Sequence, residues 1–332
     1  MIDNQFKNTH IVLSELSESV KKSDGIIDSY FDHIKDGEIL NPVLAGGEIN
    51  SIGNNEALPS NFFSRLGLRT LIVDTIHGRL SLSENNFIDI IDKDTGAFKW
   101  RESNGDLIFE DLEMLFKNSR VVEFADWSEV KNASDIWDNL RQDVIKPLRR
   151  NDFDFIFYTG DASSKLIFEV DEFLDILSDY SLHGKVTVVS EERNATHLWE
   201  KIFNGNSYSE ISTLPGLAEK GRSIFGLNNI DHLILDSIPA TLLFSKNHQL
   251  EIVVRKSSGR PKGGGRHFDA GYMLGLLLKI EISHSVALGL AVSGVYTENG
   301  NKPDGKMLVD YIEKWMGELE SFKPEESQLS IV

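Results

Sequence analysis

Two hydrophobic periods alternate along this chain. Over residues 5–22, Phe6, Val12, Leu13, Leu16 and Val20 fall loosely on one helical face. Ser23-Asp24-Gly25 then reads as a turn, and Ile26, Ile27, Tyr30, Phe31 and Ile34 predict a second helix. Residues 37–53 are rich in Gly and Asn, with short apolar pieces that suggest brief strands and turns. Pro59, in the first turn of a helix ending near Leu66, is followed by Gly67 as its stop. Leu71-Ile72-Val73 predicts a strand. Between Gly78 and Phe109, Leu80, Leu82, Phe87, Ile88 and Ile90 alternate with polar residues around Asp-Thr-Gly and Asn-Gly turns, the pattern of a small hairpin sheet.

Beyond that point longer helical and apolar strand-like runs take turns. Helices are predicted over 133–148, 170–180, 196–203, 267–278, 284–296 and 305–319, and strands over 153–158, 185–189, 232–235 and 250–255. Apolar strands alternating with helices imply an α/β fold: a mostly parallel sheet with helices on both faces. Ligands of such sheets bind beyond the carboxyl ends of the strands.

Composition narrows the chemistry. With 40% hydrophobic and 26% charged residues, the chain can bury an ordinary core. No apolar run is long enough to span a membrane, and the start lacks the basic and apolar regions of a signal peptide. There is no cysteine, which excludes disulfides, thiolate metal sites and cysteine nucleophiles and suits a cytoplasmic protein. The net charge of −18 repels nucleic acid and anionic membranes, so an anionic ligand needs a local positive site. The basic stretch from Arg255 to Lys262 contains Gly-Arg-Pro, a feature of minor-groove arms, but it is pinned between a strand and a helix and opposed by the overall charge. The nine histidines show no metal-ligand spacing; His10, His33, His77, His183 and His197 stand alone.

One local positive site is legible. Gly263-Gly264-Gly265 precedes a predicted helix, and Arg266 follows at once. Glycines let the backbone approach an anion, and the first amides of a helix have no partner inside it. The helix dipole adds partial positive charge, so phosphate suits that end. No Lys-Ser or Lys-Thr pair follows, so this is not a Walker A loop. The small residues Ala270, Gly271 and Gly275 allow a helix or a ligand to pack closely behind it.

The stretch Gly263-Gly264-Gly265-Arg266-His267-Phe268-Asp269-Ala270-Gly271-Tyr272, continuing into Met273-Leu274-Gly275, resembles the second signature of the PfkB/ribokinase family of carbohydrate kinases, G-A-G-D-x-F-x-A-G-F. Ala291-Val292-Ser293-Gly294 and Gly300-Asn301-Lys302-Pro303 resemble the helix and loop flanking that family's nucleotide pocket. Asp24-Gly25 is similar to its early sugar-binding segment, and Gly53-Asn54-Asn55 through Gly67 to its G-G-N…A-N-x-x-x-x-L-G element. Gly160-Asp161-Ala162-Ser163-Ser164-Lys165 resembles the A-D-P-S-K-R turn of one branch. The matches follow family order along nearly the whole chain; the C-terminal signature is the specific one.

The resemblance implies a ribokinase-like α/β domain over 1–37, 57–74 and 111–332, with a small β-rich lid from 38–56 and 75–110. It implies sugar contacts at Asp24, Gly25 and Asn55, a nucleotide pocket near Ala291, Ser293 and Gly294, and ATP with Mg²⁺ as cofactors of an active enzyme. A homodimer through the lid strands is implied by analogy. Three departures cut across this. The family's general base, the aspartate of G-A-G-D, is replaced by Arg266, which does not deprotonate in proteins. The magnesium-organising N-x-x-E falls on Glu191-Glu192-Arg193-Asn194, with its end residues exchanged, so the metal candidate is Glu191, one turn displaced. In the sugar element a glycine is replaced by Asn54, and the family's first strand is hard to find in 16–22. Three readings of function remain: a sugar-kinase-like protein with impaired or lost phosphotransfer that binds a sugar or nucleotide phosphate; an active ATP-dependent sugar kinase using another base, His267 or Asp269; and an interaction or scaffold protein with no small-molecule ligand.

Overall fold

The computed structural model describes residues 2–32, 70–71, 79–83, 86–89, 113, 116–117, 120–124, 127–128, 133–203, 213–227, 229–246, 248–255, 265–300 and 303–321. The chain divides into two compact units: Met1–Ile39 with Leu250–Val332, and Leu40–Gln249.

The larger unit is the sheet. Its strands are β1 (Thr70–Leu71), β2 (Arg79–Ser83), β3 (Asn86–Asp89), β4 (Val121–Phe124), β5 (Phe153–Tyr158), β6 (Gly184–Glu191), β7 (His232–Asp236) and β8 (Ala240–Ser245). β2 and β3 pair antiparallel as a separate hairpin, with Leu80 opposite Ile88. That hairpin falls within the alternating stretch expected to form one. The other six lie in the order β1-β4-β5-β6-β7-β8. β1, β4, β5, β6 and β7 run parallel, and β8 returns antiparallel to β7.

Four longer helical segments stand among the described residues of this unit. α2 (Ala133–Leu140) widens into a π-type turn over Arg141–Ile145 and tightens to a 3₁₀ turn at Lys146–Leu148, where Pro147 interrupts the α-helical ladder. α3 (Ile167–Tyr180), α4 (Glu192–Phe203) and α5 (Leu214–Leu227) complete the set. Their apolar faces meet one face of the sheet in an aromatic core. Phe124 and Phe157, register partners on β4 and β5, stack at 4.4 Å, and Trp137 meets Phe124 edge-on at 5.3 Å. The Tyr180 hydroxyl donates to the Trp137 carbonyl at 2.8 Å, so this fully buried phenol is satisfied. The alternate strand residues Val121, Ile156, Val189, Ile234 and Leu243 are buried as well, the mark of a sheet covered on both faces.

The smaller unit is helical, with strand β9 (Gln249–Val253) at its entry. Its helices are α1 (Ile2–Asp32), α6 (Gly265–Leu277), α7 (Ile282–Asn299) and α8 (Gly305–Ser321). α6 and α7 pack without room for side chains at their crossing. A Cβ on Gly271 would sit 2.8 Å from the Gly289 Cα and the Leu288 carbonyl oxygen, and one on Gly275 would sit 2.6 Å from the Ser285 hydroxyl. The small residues beside the glycine run therefore serve helix packing. α1 is tied to its neighbours by His284–Glu15 at 3.1 Å and by Asp28, which accepts the Gly305 amide at 2.6 Å and so caps α8. Thr9 links it to β9, accepting from the Val253 amide and donating to the Glu251 carbonyl.

Several sequence expectations need correction. The turn at Ser23-Asp24-Gly25 does not form: α1 runs unbroken through it, and Gly25 is exposed on its surface. One interior glycine costs a helix only about 1 kcal/mol, and the packing of Val20, Ile27 and Phe31 on either side outweighs it. Strands Val121–Phe124 and Ala240–Ser245 and helix Leu214–Leu227 went unforeseen. The helix predicted near Pro59 and the strands predicted within 37–53 lie outside the described residues.

Candidate functional site

The glycine-run site is built on α6. The helix begins at Gly265, so Arg266 is its second residue; Gly263, Gly264 and the Arg266 side chain lie outside the described residues. His267 stacks on Tyr296 of α7, ring centroids 3.5 Å apart at 27°. Asp269, one turn beyond Arg266, is buried. Phe268 lies against Gly289, where a Cβ would come within 2.7 Å of its ring. The first turn of α6 is thus clamped to α7 through His267 and Phe268, which fixes the direction of its amides.

The other candidates fall in different places. Asp24 and Gly25 lie in mid α1, and Asn55 is outside the described residues. Ala291 is fully buried in α7, and the open side of Gly294 is filled by the Tyr311 ring of α8. Ser293 is half-buried, and its carbonyl accepts from the Thr297 hydroxyl. Arg255, which opens the basic stretch, is already committed. It binds Glu298 at 2.6 Å and Glu318 at 2.7 Å and lies over the Tyr311 ring.

A second polar group gathers at the carboxyl ends of β5, β6 and β7 within the larger unit. After Tyr158, the Thr159 hydroxyl meets that of Ser190 at 2.7 Å, buried. Gly160 follows at φ +57°, a left-handed turn that glycine adopts without strain. Asp161 then accepts the Ser163 amide at 2.9 Å and pairs with the His197 Nδ1 at 2.7 Å. The Ser163 amide, with help from His197, holds its carboxyl down at about 2, so Asp161 is ionised at physiological pH. An ionised acceptor places the proton of a neutral His197 on Nδ1 and leaves Nε2 as the acceptor. Glu191 ends β6 in register with Asp236 of β7, and Glu192 opens α4 and accepts from the Ser237 hydroxyl. Among the described residues, no three His, Asp or Glu side chains are grouped so as to hold a metal ion.

His197 and His10 do not stand alone: the first pairs with Asp161 and the second with Glu320. The His197 partner lies 36 residues away in sequence. Only the βαβ rule, which sets the residue after one parallel strand beside the helix after the next, could have pointed to it.

No family model and no curated protein matches this chain. Solved structures do. Ribokinase from Thermotoga maritima is similar with 15% identity and a TM-score of 0.43, over 67% of each chain. Arabidopsis thaliana ribokinase, solved with ribose and ATP, has 12% identity and a TM-score of 0.45 over 70% of this chain and 67% of that one. A phosphofructokinase-2 mutant from Escherichia coli has 12% identity and a TM-score of 0.43, over 64% and 61%. The fold is α/β, with ribokinases among the structures it resembles, and the mostly parallel sheet stands on this chain's own strand pairing.

Proposed function

We propose that this chain is a carbohydrate-kinase-like protein that holds a sugar or nucleotide phosphate at the start of α6, with phosphotransfer impaired or lost. The observation that carries the reading is the start of α6 at Gly265, directly on the glycine run and with arginine second. Backbone amides, the helix dipole and a guanidinium fork together suit a phosphate dianion. The same arginine removes the proton acceptor that phosphotransfer to a sugar hydroxyl requires.

ATP supplies the phosphoryl group in the active reading, and magnesium would neutralise its charge. With the end residues of N-x-x-E exchanged, Glu191 is the one candidate ligand, and the phosphates themselves would carry most of the metal's coordination. The burial of Asp269 one turn past Arg266 favours a second reading, an active ATP-dependent sugar kinase with that carboxylate as base.

Phosphate binding tests the proposal directly. Inorganic phosphate and ATP, titrated into ¹⁵N-labelled protein, are expected to shift the amides of Gly264, Gly265 and Arg266 saturably, and Arg266→Ala to weaken the effect. Unmoved amides at high phosphate would overturn it.

A further inference from the structure

Helix α3 starts against the usual rules. Its N-cap is Leu166, where Ser, Thr, Asp or Asn ordinarily stands. Leu166, Ile167 and Phe168 are 58%, 53% and 57% exposed, three consecutive large apolar residues facing water. Such a run contributes little to the core beneath it and carries an aggregation liability, so it calls for a function.

The run is also held rigidly. The Leu166 amide donates to Glu169 at 2.8 Å, half of a capping box. Lys165 reaches the same carboxylate at 3.4 Å and lies over the Trp127 ring at 5.1 Å. From the neighbouring helix, Lys201 donates to the Lys165 carbonyl at 2.7 Å. Apolar side chains on a backbone pinned in this way lose little freedom when a partner covers them.

The helix then states what the partner carries. Asp171, Glu172 and Asp175 lie three, four and seven residues after Phe168, on the same face, and Asp171, Glu172 and Asp175 line it with carboxylates. An apolar knob thus leads into an acidic stripe about two turns long.

We infer that the start and outer face of α3 form a docking surface for a cationic amphipathic segment of a partner protein, its apolar residues covering Leu166, Ile167 and Phe168 and its Lys or Arg side chains along Asp171, Glu172 and Asp175. A second copy of this chain would set stripe against stripe within a net charge of −18. An anionic membrane is repelled by the same carboxylates.

A synthetic helical peptide with leucine and lysine at i, i+3, i+4 spacing is the probe, measured by fluorescence anisotropy with the full chain. Ile167→Ser with Phe168→Ser is expected to weaken binding ~10-fold or more. Asp171→Asn, Glu172→Gln and Asp175→Asn together are expected to weaken it several-fold and flatten its salt dependence. The control removes three carboxylates elsewhere (Glu18→Gln, Glu219→Gln and Asp310→Asn) and is expected to leave affinity within about twofold. Equal loss in the control shows mere attraction to an acidic protein and overturns the inference, as does an apolar double variant that binds unchanged. A dimer in sedimentation that Phe168→Ser dissolves makes a second copy the occupant and overturns it too.

Discussion

His232, at the start of β7, is a residue whose burial has a thermodynamic signature. Desolvation lowers its imidazole from 6.5 to about 4; Asp231 opposes this, while Lys185, His248 and Lys246 add to it. Between those values the unfolded chain binds a proton that the folded chain refuses. The stability from neutral His232 is therefore complete above about pH 6.5 and lost as pH falls through about 4. The shift corresponds to roughly 3 kcal/mol. Urea melts at pH 7 and pH 4.5 should show wild type losing more stability than His232→Gln, and parallel losses would count against a buried neutral imidazole. The cost of burying His232 was not legible in the sequence, because it depends on what covers the ring. The same holds for the Asp161–His197 pair, joined only when β5 and β6 lie side by side. Arg266 and the glycine run could be named as candidates from the sequence because that reading rests on a local succession of residue types.

At the scale of elements, legibility followed the strength of the period. Strand Phe153–Tyr158 and helix Gly305–Ser321 fall where the pattern put them, since each buries a clear apolar set. Val121–Phe124 was missed because four residues, all buried and one of them Glu123, present no alternation to read. Helix Leu214–Leu227 was missed because Pro215, Gly216, Gly221 and Gly226 make it look like a loop. Packing explains one of those glycines: a Cβ on Gly221 would come within 2.5 Å of the Phe244 ring. The glycines of α6 and α7 obey the same logic and yield a paired prediction. Gly271→Ala or Gly289→Ala must push backbone apart or move Phe268, and should destabilise by about 1–3 kcal/mol. Gly317→Ala in α8 meets nothing within 4 Å and should stabilise by about 0.5–1 kcal/mol. Thermal melts of the three variants check both signs at once; a stabilised Gly271→Ala would mean that the helices are not in contact there.

For the molecule as a whole, the question is whether an α/β fold that resembles ribokinases carries phosphotransfer. Alternation of strands and helices implied a mostly parallel sheet but not its strand order, and the resemblance could not see that α1 would be one long helix where an early strand and sugar segment were looked for. Magnesium gives a first measure: with the end residues of N-x-x-E exchanged at Glu191 and Asn194, it should tighten ATP binding only weakly, and Glu191→Ala should change that little. A sharp magnesium effect abolished by Glu191→Ala would show the exchanged motif to be functional. Turnover gives the second. A positioned general base contributes typically ~10²–10⁴-fold, or about 3–5 kcal/mol of barrier. Arginine in that place would stabilise phosphate charge, a gain of opposite sign, yet it leaves the sugar hydroxyl without a proton acceptor. Charge stabilisation does not move a proton, so the loss should win. Wild type is expected to consume ATP at no more than a trace rate across a panel of sugars and nucleosides. Arg266→Asp restores the acceptor and should recover part of the activity where the sugar and nucleotide contacts persist. Robust wild-type turnover that Arg266→Asp abolishes would make the arginine itself catalytic and end the impaired-kinase reading. Robust turnover lost instead in Asp269→Asn would assign the proton to the buried carboxylate one turn further along α6.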